Sequence, residues 1–198
     1  MRITECLLET INQMELGSIS LGAMVAASGK SHLWSDRSGA VPDVVIIHYT
    51  SAVNFFPAEP YELRYVLAIF CEYGVSSHFI IDRSGAIFRL VPIEKKAWHC
   101  GGSMMPEPDN RRGVNDFSVG IELLATADSG FTALQYHSLG WLCAAIETQC
   151  GITMKYLGHE DVAGRRAVTL GLRTDVKVDP GPLFEWQRFR DTLSMSRS

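Results

Sequence analysis

The sequence predicts an α/β domain built on a mixed central β-sheet flanked by helices. Two observations lead to this prediction. Short apolar runs of strand length alternate along the chain with segments whose apolar residues recur at helical spacing, a pattern typical of strands and helices packed in layers. Two of the predicted strands flank a tight turn and are therefore antiparallel, so the sheet is mixed. The 198 residues, of which 46% are hydrophobic, suffice for one such domain and a short arm.

The first predicted core strand follows a weakly patterned N-terminal arm. Glycine and serine punctuate residues 1–41, whereas residues 44–47 form a continuous apolar run that ends at His48. Such a run is typical of a strand covered on both faces. This change of pattern predicts an arm over residues 1–41 and a folded domain over residues 42–198.

The remaining elements follow in order. Apolar residues at positions i, i+3, i+4 and i+7 predict a helix over residues 63–70 that ends at Gly74. Residues 78–81 and 86–91 flank the turn Asp82-Arg83-Ser84-Gly85, which predicts a hairpin. A strand, a helix, a short strand and a closing helix are predicted over residues 119–124, 139–150, 156–159 and 184–193.

Charge and hydropathy argue against two classes of partner. The chain has 18 Lys and Arg against 22 Asp and Glu, so it lacks the basic field that binds nucleic acid. No run of about 18 uncharged apolar residues predicts a membrane-spanning helix. Acidic residues precede the first apolar stretch where a signal peptide carries basic ones. The five scattered cysteines form no CxxC pair and are expected to be reduced, so we expect a cytoplasmic protein.

Three potential metal ligands lie at or beyond the ends of predicted strands. His48 ends the first core strand, His159 leaves a short apolar segment, and Asp179 lies in a proline-rich turn. Two imidazoles and one carboxylate leave a fourth position open for water, which is the composition of a catalytic zinc site. From spacing alone, hydrogen-bonded structural histidines remain an alternative, because no short motif such as HExxH joins the three residues.

Six separated blocks occur in the order found in one enzyme family: VVIIHYTS, VSSHFIIDRSGAIFRLVP, KKAWHCGGS, NDFSVGIELLAT, GHEDVAGRR and KVDPGPLFEWQRF. From about Pro42 to Leu193, the chain resembles the type 2 N-acetylmuramoyl-L-alanine amidases, and especially the anhydro-muramoyl-L-alanine amidases that recycle cell-wall fragments. The resemblance implies the type 2 amidase and peptidoglycan-recognition fold, with Zn²⁺ as the cofactor. It also implies hydrolysis of the amide between (1,6-anhydro-)N-acetylmuramic acid and L-alanine of the stem peptide.

The matching blocks assign roles to five residues. The resemblance places His48, His159 and Asp179 on the zinc ligands, Glu122 on the acidic catalytic residue and Lys177 on the catalytic lysine. We expect Glu122 to carry the proton from water to the leaving amine, and Lys177 to stabilise the oxyanion. By residue pattern alone, Glu122 is equally an outward-facing strand carboxylate, and Lys177 is a solvated surface lysine.

Four further residues are candidate substrate contacts. The indole of Trp98 is suited to stacking on a sugar face or a peptide. On composition alone, a partly buried structural tryptophan is an equal alternative. His99 is consistent with a substrate contact, with a residue that orients a metal ligand, or with a core histidine. Arg112 and Asn115 precede the Glu122 strand and are candidates for binding the carboxylates of the peptide. A solvated loop charge is the alternative for Arg112.

One segment departs from the family pattern. Between His159 and Asp179 the chain has about twenty residues, more than the recycling enzymes have, and residues 167–176 are the excess. We expect this loop to line one wall of the groove beside the zinc and to affect substrate preference. Two other functions fit the same blocks: a lytic amidase of phage or autolysin type acting on intact peptidoglycan, and a non-catalytic peptidoglycan-binding module. The intact ligand positions favour hydrolysis over binding alone.

Overall fold

A central β-sheet and the helices packed on it make up the fold in a computed structural model, which describes residues 1–6, 15–16, 19–20, 23 and 33–197. The strands are β1 (Ile3–Glu5), β2 (Glu15–Leu16), β3 (Ile19–Ser20), β4 (Trp34–Asp36), β5 (Val44–Thr50), β6 (Phe79–Ile81), β7 (Ile87–Arg89), β8 (Lys95–Ala97), β9 (Ser118–Leu124) and β10 (Lys155–Gly158). The helices are α1 (Leu63–Tyr73), α2 (Ala133–Cys150), α3 (His159–Ala163), α4 (Arg165–Thr169) and α5 (Trp186–Ser196), with a 3₁₀ turn at Val114–Phe117.

The central sheet has six strands in the order β1-β7-β6-β9-β5-β10. Strand β5 pairs in parallel with both β9 and β10, and β9 also pairs in parallel with β6. Strands β6 and β7 are antiparallel and form the predicted hairpin. The predicted mixed sheet with flanking helices is therefore confirmed. Strands β5 and β9 occupy its interior, and every residue of β9 is buried.

Helices cover both faces of this sheet. Alternate residues of a strand point to opposite faces. On one face Ile47 and Ile121 pack with Leu139 of α2 and Phe189 of α5. On the other face Ile80 of β6 packs with Leu67 of α1. No helix in the described part of the chain is long and apolar enough to cross a membrane. Because both faces are covered, functional side chains project from strand ends and from loops.

Glycines end the two helices whose ends the sequence predicted. Gly74 after α1 and Gly151 after α2 have φ values of 61° and 70°. Glycine adopts this left-handed conformation without a steric penalty. Helix α2 begins earlier than its apolar pattern indicated, because Thr132 and Gln135 form a capping box at its N-terminus.

The described parts of the N-terminal arm are joined to the domain. Strand β1 pairs in parallel with β7 and forms one edge of the central sheet, and β4 pairs with β8. Arg37 is only 5% exposed. Its guanidinium donates hydrogen bonds to four backbone carbonyls, those of Ile93, Asn115, Asp116 and Ser118. The segment that precedes residue 42 thus supplies two strands and a buried cation to the domain.

Candidate metal centre and substrate groove

Strand pairing brings His48 and Glu122 side by side. His48 of β5 is the register partner of Glu122 of β9, and residues in register on adjacent strands point to the same face of a sheet. The two residues are 2% and 8% exposed. Burial at this position excludes the alternative of an outward-facing strand carboxylate for Glu122.

Backbone hydrogen bonds bring His159 and Asp179 to the same place. His159 is the first residue of α3 and directly follows β10, the neighbour of β5. The Asp179 segment is attached to both ends of α3. The amide of Glu160 donates to the Asp179 carbonyl at 2.9 Å, and the amide of Lys177 donates to the Ala163 carbonyl at 3.0 Å. The long intervening segment therefore returns to the end of β5.

The three predicted ligands converge on one point. Oδ2 of Asp179 lies 3.0 Å from Nδ1 of His48 and 3.2 Å from Nδ1 of His159. Around a tetrahedral zinc with bonds of 2.0–2.1 Å, ligand atoms lie about 3.3 Å apart. The two nitrogens and one oxygen therefore fit zinc and leave a position open, as a catalytic site requires.

The surroundings of His159 and Asp179 favour the neutral imidazole and the ionised carboxylate that bind a metal. Burial is the main reason why the pKa of His159 falls to about 4. Burial acts to raise the pKa of Asp179, but hydrogen bonds with His159 and His48 outweigh it and lower the pKa below its usual range. Burial acts to lower the pKa of His48. The negative charges of Glu122 and Asp179 raise it by more, so the net shift is upward. A metal at His48 therefore displaces a proton.

Glu122 has the environment of a proton carrier. Burial raises the pKa of Glu122 to about 7, against the opposing effect of His48. Its Oε2 atom is buried and has no hydrogen-bond partner. A carboxyl group that titrates near neutral pH can both accept and donate a proton. This environment suits the role that the family resemblance implies.

Two adjoining cavities open at these residues. They have volumes of about 470 and about 370 Å³, and we call them together the groove. Four residues line both cavities: His99, Glu122, His159 and Lys177. The side chain of Lys177 is 40% exposed, and its Nζ lies 3.5 Å from Asp175 Oδ2. Such an exposed ion pair is weak, so the ammonium remains available to a ligand in the groove.

His99 contacts the side of His48 that faces away from Asp179. Nδ1 of His99 lies 3.1 Å from Nε2 of His48 and 3.0 Å from Sγ of Cys100. The ring packs on the backbone of β9 at Gly120, where a Cβ would lie 2.5 Å from Cγ of His99. Burial is the main reason why the pKa of His99 falls well below its usual value. His99 therefore both lines the groove and orients a predicted metal ligand.

The other predicted contacts have different positions. Trp98 lines the groove, and its Nε1 donates to Ser35 Oγ at 3.2 Å. Asn115 also lines the groove, but its Oδ1 accepts hydrogen bonds from the backbone amides of His99 and Cys100. Asn115 thus holds the backbone of the metal-proximal segment. Arg112 is exposed, and the groove as described does not include it. Its backbone pairs with Met104.

The excess loop begins inside a short helix. Helix α4 covers residues 165–169, and beyond it Arg173 and Val176 line the groove. The loop lies against Gly102, where a Cβ would be only 1.8 Å from the Leu172 carbonyl oxygen. Only glycine permits so close an approach of two backbone segments.

The residue pattern alone did not indicate Cys100 as part of this site. Cys100 is buried, and its thiol lies beside His99. His48, His99 and Cys100 form a second group of potential ligand atoms within 4.8 Å of one another, as do His48, His159 and Asp179. The signal available in the sequence was the adjacent imidazole and thiol in the block KKAWHCGGS.

The fold and the site define a type 2 amidase. Residues 38–182 match the sequence profile described as N-acetylmuramoyl-L-alanine amidase, and the chain belongs to this family. The predicted family is confirmed.

Curated relatives include two Escherichia coli amidases. The 1,6-anhydro-N-acetylmuramyl-L-alanine amidase AmpD is 40% identical over 121 residues, which are 61% of this chain and 59% of AmpD. The N-acetylmuramoyl-L-alanine amidase AmiD is 28% identical over 162 residues, 73% of this chain and 51% of AmiD. The chain thus spans about three fifths of the length of AmpD.

Solved structures of the same two kinds of amidase share the fold. A selenomethionine derivative of AmpD superposes with a TM-score of 0.62 at 30% identity, covering 81% of this chain and 90% of AmpD. Escherichia coli AmiD in complex with anhydro-N-acetylmuramic acid-L-Ala-D-gamma-Glu-L-Lys has a TM-score of 0.58 at 28% identity, covering 78% and 59%.

Proposed function

We propose that this protein is a zinc-dependent amidase that hydrolyses the bond between (1,6-anhydro-)N-acetylmuramic acid and L-alanine of the stem peptide. The observation that carries the proposal is the convergence of His48, His159 and Asp179 beside the buried carboxyl of Glu122. The names of the relatives supply the substrate class. A role in cell-wall recycling accords with the expected cytoplasmic location.

The proposed metal site has a defined chemical role. His48, His159 and Asp179 would hold zinc, which polarises a carbonyl and lowers the pKa of water when it is bound. Glu122 accepts the proton of the attacking water as the new C–O bond forms. It then donates that proton to the L-alanine nitrogen as the C–N bond breaks. Glu122 suits both steps because its pKa is about 7.

Lys177 acts at the carbonyl oxygen of the substrate. Lys177 lines both cavities, as Glu122 and His159 do. As the carbonyl carbon becomes tetrahedral, its oxygen gains negative charge, and the ammonium stabilises that charge. The backbone bond from Lys177 to Ala163 holds the residue at this position before substrate binds.

The proposed activity has a direct test. The purified protein is incubated with anhydro-N-acetylmuramic acid-L-Ala-D-gamma-Glu-L-Lys and, in parallel, with intact peptidoglycan sacculi, and the products are analysed by mass spectrometry. We expect release of the free tripeptide from the soluble substrate, loss of this activity with a chelator, and recovery with zinc. Release from sacculi alone would support the lytic alternative. Binding without release, in zinc-loaded protein, would support the binding module.

A further inference from the structure

The geometry points to a second metal site, formed by His48, His99 and Cys100, that takes thiophilic ions such as Cd²⁺ or Cu⁺ and competes with the zinc site for His48. The two groups of ligands share one imidazole. Nδ1 of His48 faces Asp179, whereas its Nε2 faces His99 at 3.1 Å. The competition rests on the proposed zinc site, but the second site itself does not.

The donor atoms of the second site suit a soft metal. The zinc group contains two nitrogens and an oxygen, whereas the second group contains two nitrogens and a sulfur. Thiolate ligands select Cu⁺ and other soft ions over harder ones. Nδ1 of His99 lies 3.0 Å from Sγ of Cys100, so the imidazole and the thiol can reach one ion.

Neighbouring residues orient the ligands of the second site. Nε2 of His99 lies 3.2 Å from Ser118 Oγ, a hydroxyl oxygen that can accept the ring proton when Nδ1 binds a metal. Oδ1 of Asn115 accepts hydrogen bonds from the amides of His99 and Cys100, at 3.3 and 2.8 Å. Metal-binding histidines are generally held by such partners on their second nitrogen. The site is therefore supported before any ion arrives.

An ion reaches this site through the groove, and no oxidant is needed. His99 and Cys100 both line the larger cavity. On binding, the Cys100 thiol releases its proton to solvent and a metal–sulfur bond forms without change of oxidation state. A neutral imidazole has only one ring nitrogen with a lone pair available for a metal. When an ion binds Nε2 of His48, zinc therefore keeps only His159 and Asp179 as protein ligands.

The experiment titrates zinc-loaded protein with CdCl₂ and follows thiolate-to-cadmium charge-transfer absorption in the ultraviolet. The zinc ligands contain no sulfur, so this band reports the second site. We expect one equivalent of cadmium to generate the band and Cys100→Ser to weaken cadmium affinity by at least about tenfold. Cys71→Ser is the matched control, because Cys71 is also buried and lies in helix α1, in the hydrophobic cluster that includes Leu67. It should keep the band.

Two further readouts keep the test decisive. Cys6 and Cys150, which are half-buried, are present in both variants, so their contribution cancels. His99→Ala should weaken the band as Cys100→Ser does, while circular dichroism verifies that each variant is folded. A band of equal strength and affinity in wild type and Cys100→Ser would overturn the proposal. A cadmium band in a protein whose zinc-loaded form has no amidase activity before cadmium is added would support the second site and contradict the proposed function.

Discussion

The site consists of two halves that are held in different ways. The sheet-borne half, His48 and Glu122, stands on paired interior strands and is 2% and 8% exposed. The loop-borne half, Lys177 and Asp179, lies in a segment without helix or strand and depends on two backbone hydrogen bonds to α3. The comparison shows that strand pairing positions the proposed proton carrier, whereas a few loop bonds position the proposed oxyanion group. The two halves should therefore respond differently to substitution.

The largest effect is expected where the halves meet, at the metal ligands. His159→Ala removes one of three donors, and we expect zinc affinity to fall by more than about 100-fold, since removing even a partner outside the ligand set costs 10–100-fold. Activity should fall with the zinc. Elemental analysis after dialysis measures the metal content. His137→Ala, an exposed histidine of α2, is the control. Equal zinc in both variants would contradict the assignment of His159.

In the sheet-borne half we expect a loss of turnover without a loss of metal. Glu122→Gln keeps the shape of the side chain but removes the group that carries the proton, so kcat should fall by about 10²–10⁴-fold. Zinc content should stay at the wild-type level, because Glu122 is not among the proposed ligands. Steady-state kinetics on the soluble muropeptide, with metal analysis of the same sample, measures both. Near wild-type turnover would mean that another residue carries the proton.

In the loop-borne half, Lys177→Ala should lower kcat by about 10²–10³-fold, the usual effect of removing one oxyanion donor. KM should change less, because the charge develops only in the transition state. Lys155→Ala removes an exposed lysine of β10 and serves as the control. If KM rises while kcat is unchanged, Lys177 binds the substrate in its ground state instead.

Shortening the excess loop is expected to change preference rather than activity itself. Deletion of residues 170–175 spares α4 and the ligands, so zinc should be retained. The ratio of kcat/KM for soluble muropeptide to that for sacculi should shift by about tenfold, which corresponds to roughly 1.4 kcal/mol. The same preparations assayed on both substrates give this ratio. An unchanged ratio in a folded, zinc-loaded variant would show that the loop does not select substrate.

The smallest change tests how the loop is seated. Gly102→Ala places a Cβ about where the Leu172 carbonyl oxygen lies, and overpacking of this kind costs about 1–3 kcal/mol. We expect a lower denaturant midpoint and a shift in substrate ratio of the same sign as the deletion. A denaturant midpoint equal to that of the wild type would show that the loop moves to accommodate the added Cβ without loss of stability.

The sequence was most informative for the sheet-borne half. Continuous apolar runs identified β5 and β9, and the turn at residues 82–85 identified the hairpin, because burial on both faces and turn chemistry are local signals. Gly74 and Gly151 marked helix ends for the same reason. The register that pairs His48 with Glu122 is a nonlocal property, and only the structure supplied it.

The loop-borne half and the arm were less accessible to sequence reasoning. Strand β1 has three residues, too few to show an alternating pattern, and the partners of Arg37 lie 56–81 residues away in the chain. Arg112 was a candidate carboxylate-binding residue by its position before the Glu122 strand, but whether a loop residue lines the groove depends on tertiary structure, and the groove as described does not include Arg112. The ligand positions could be predicted only through whole sequence blocks, since no short spacing joins His159 to Asp179.

Arg37 lies outside the region that matches the family profile but is hydrogen-bonded to the domain. The family profile begins at residue 38, directly after this arginine. A chain truncated there would lose the donor for four carbonyls, including those of Asn115 and Ser118 beside the His99 segment. Each buried carbonyl left unpaired costs about 1–3 kcal/mol. A truncation at residue 38, where the profile match begins, is therefore expected to destabilise the domain and to weaken the support of the backbone beside the His99 segment.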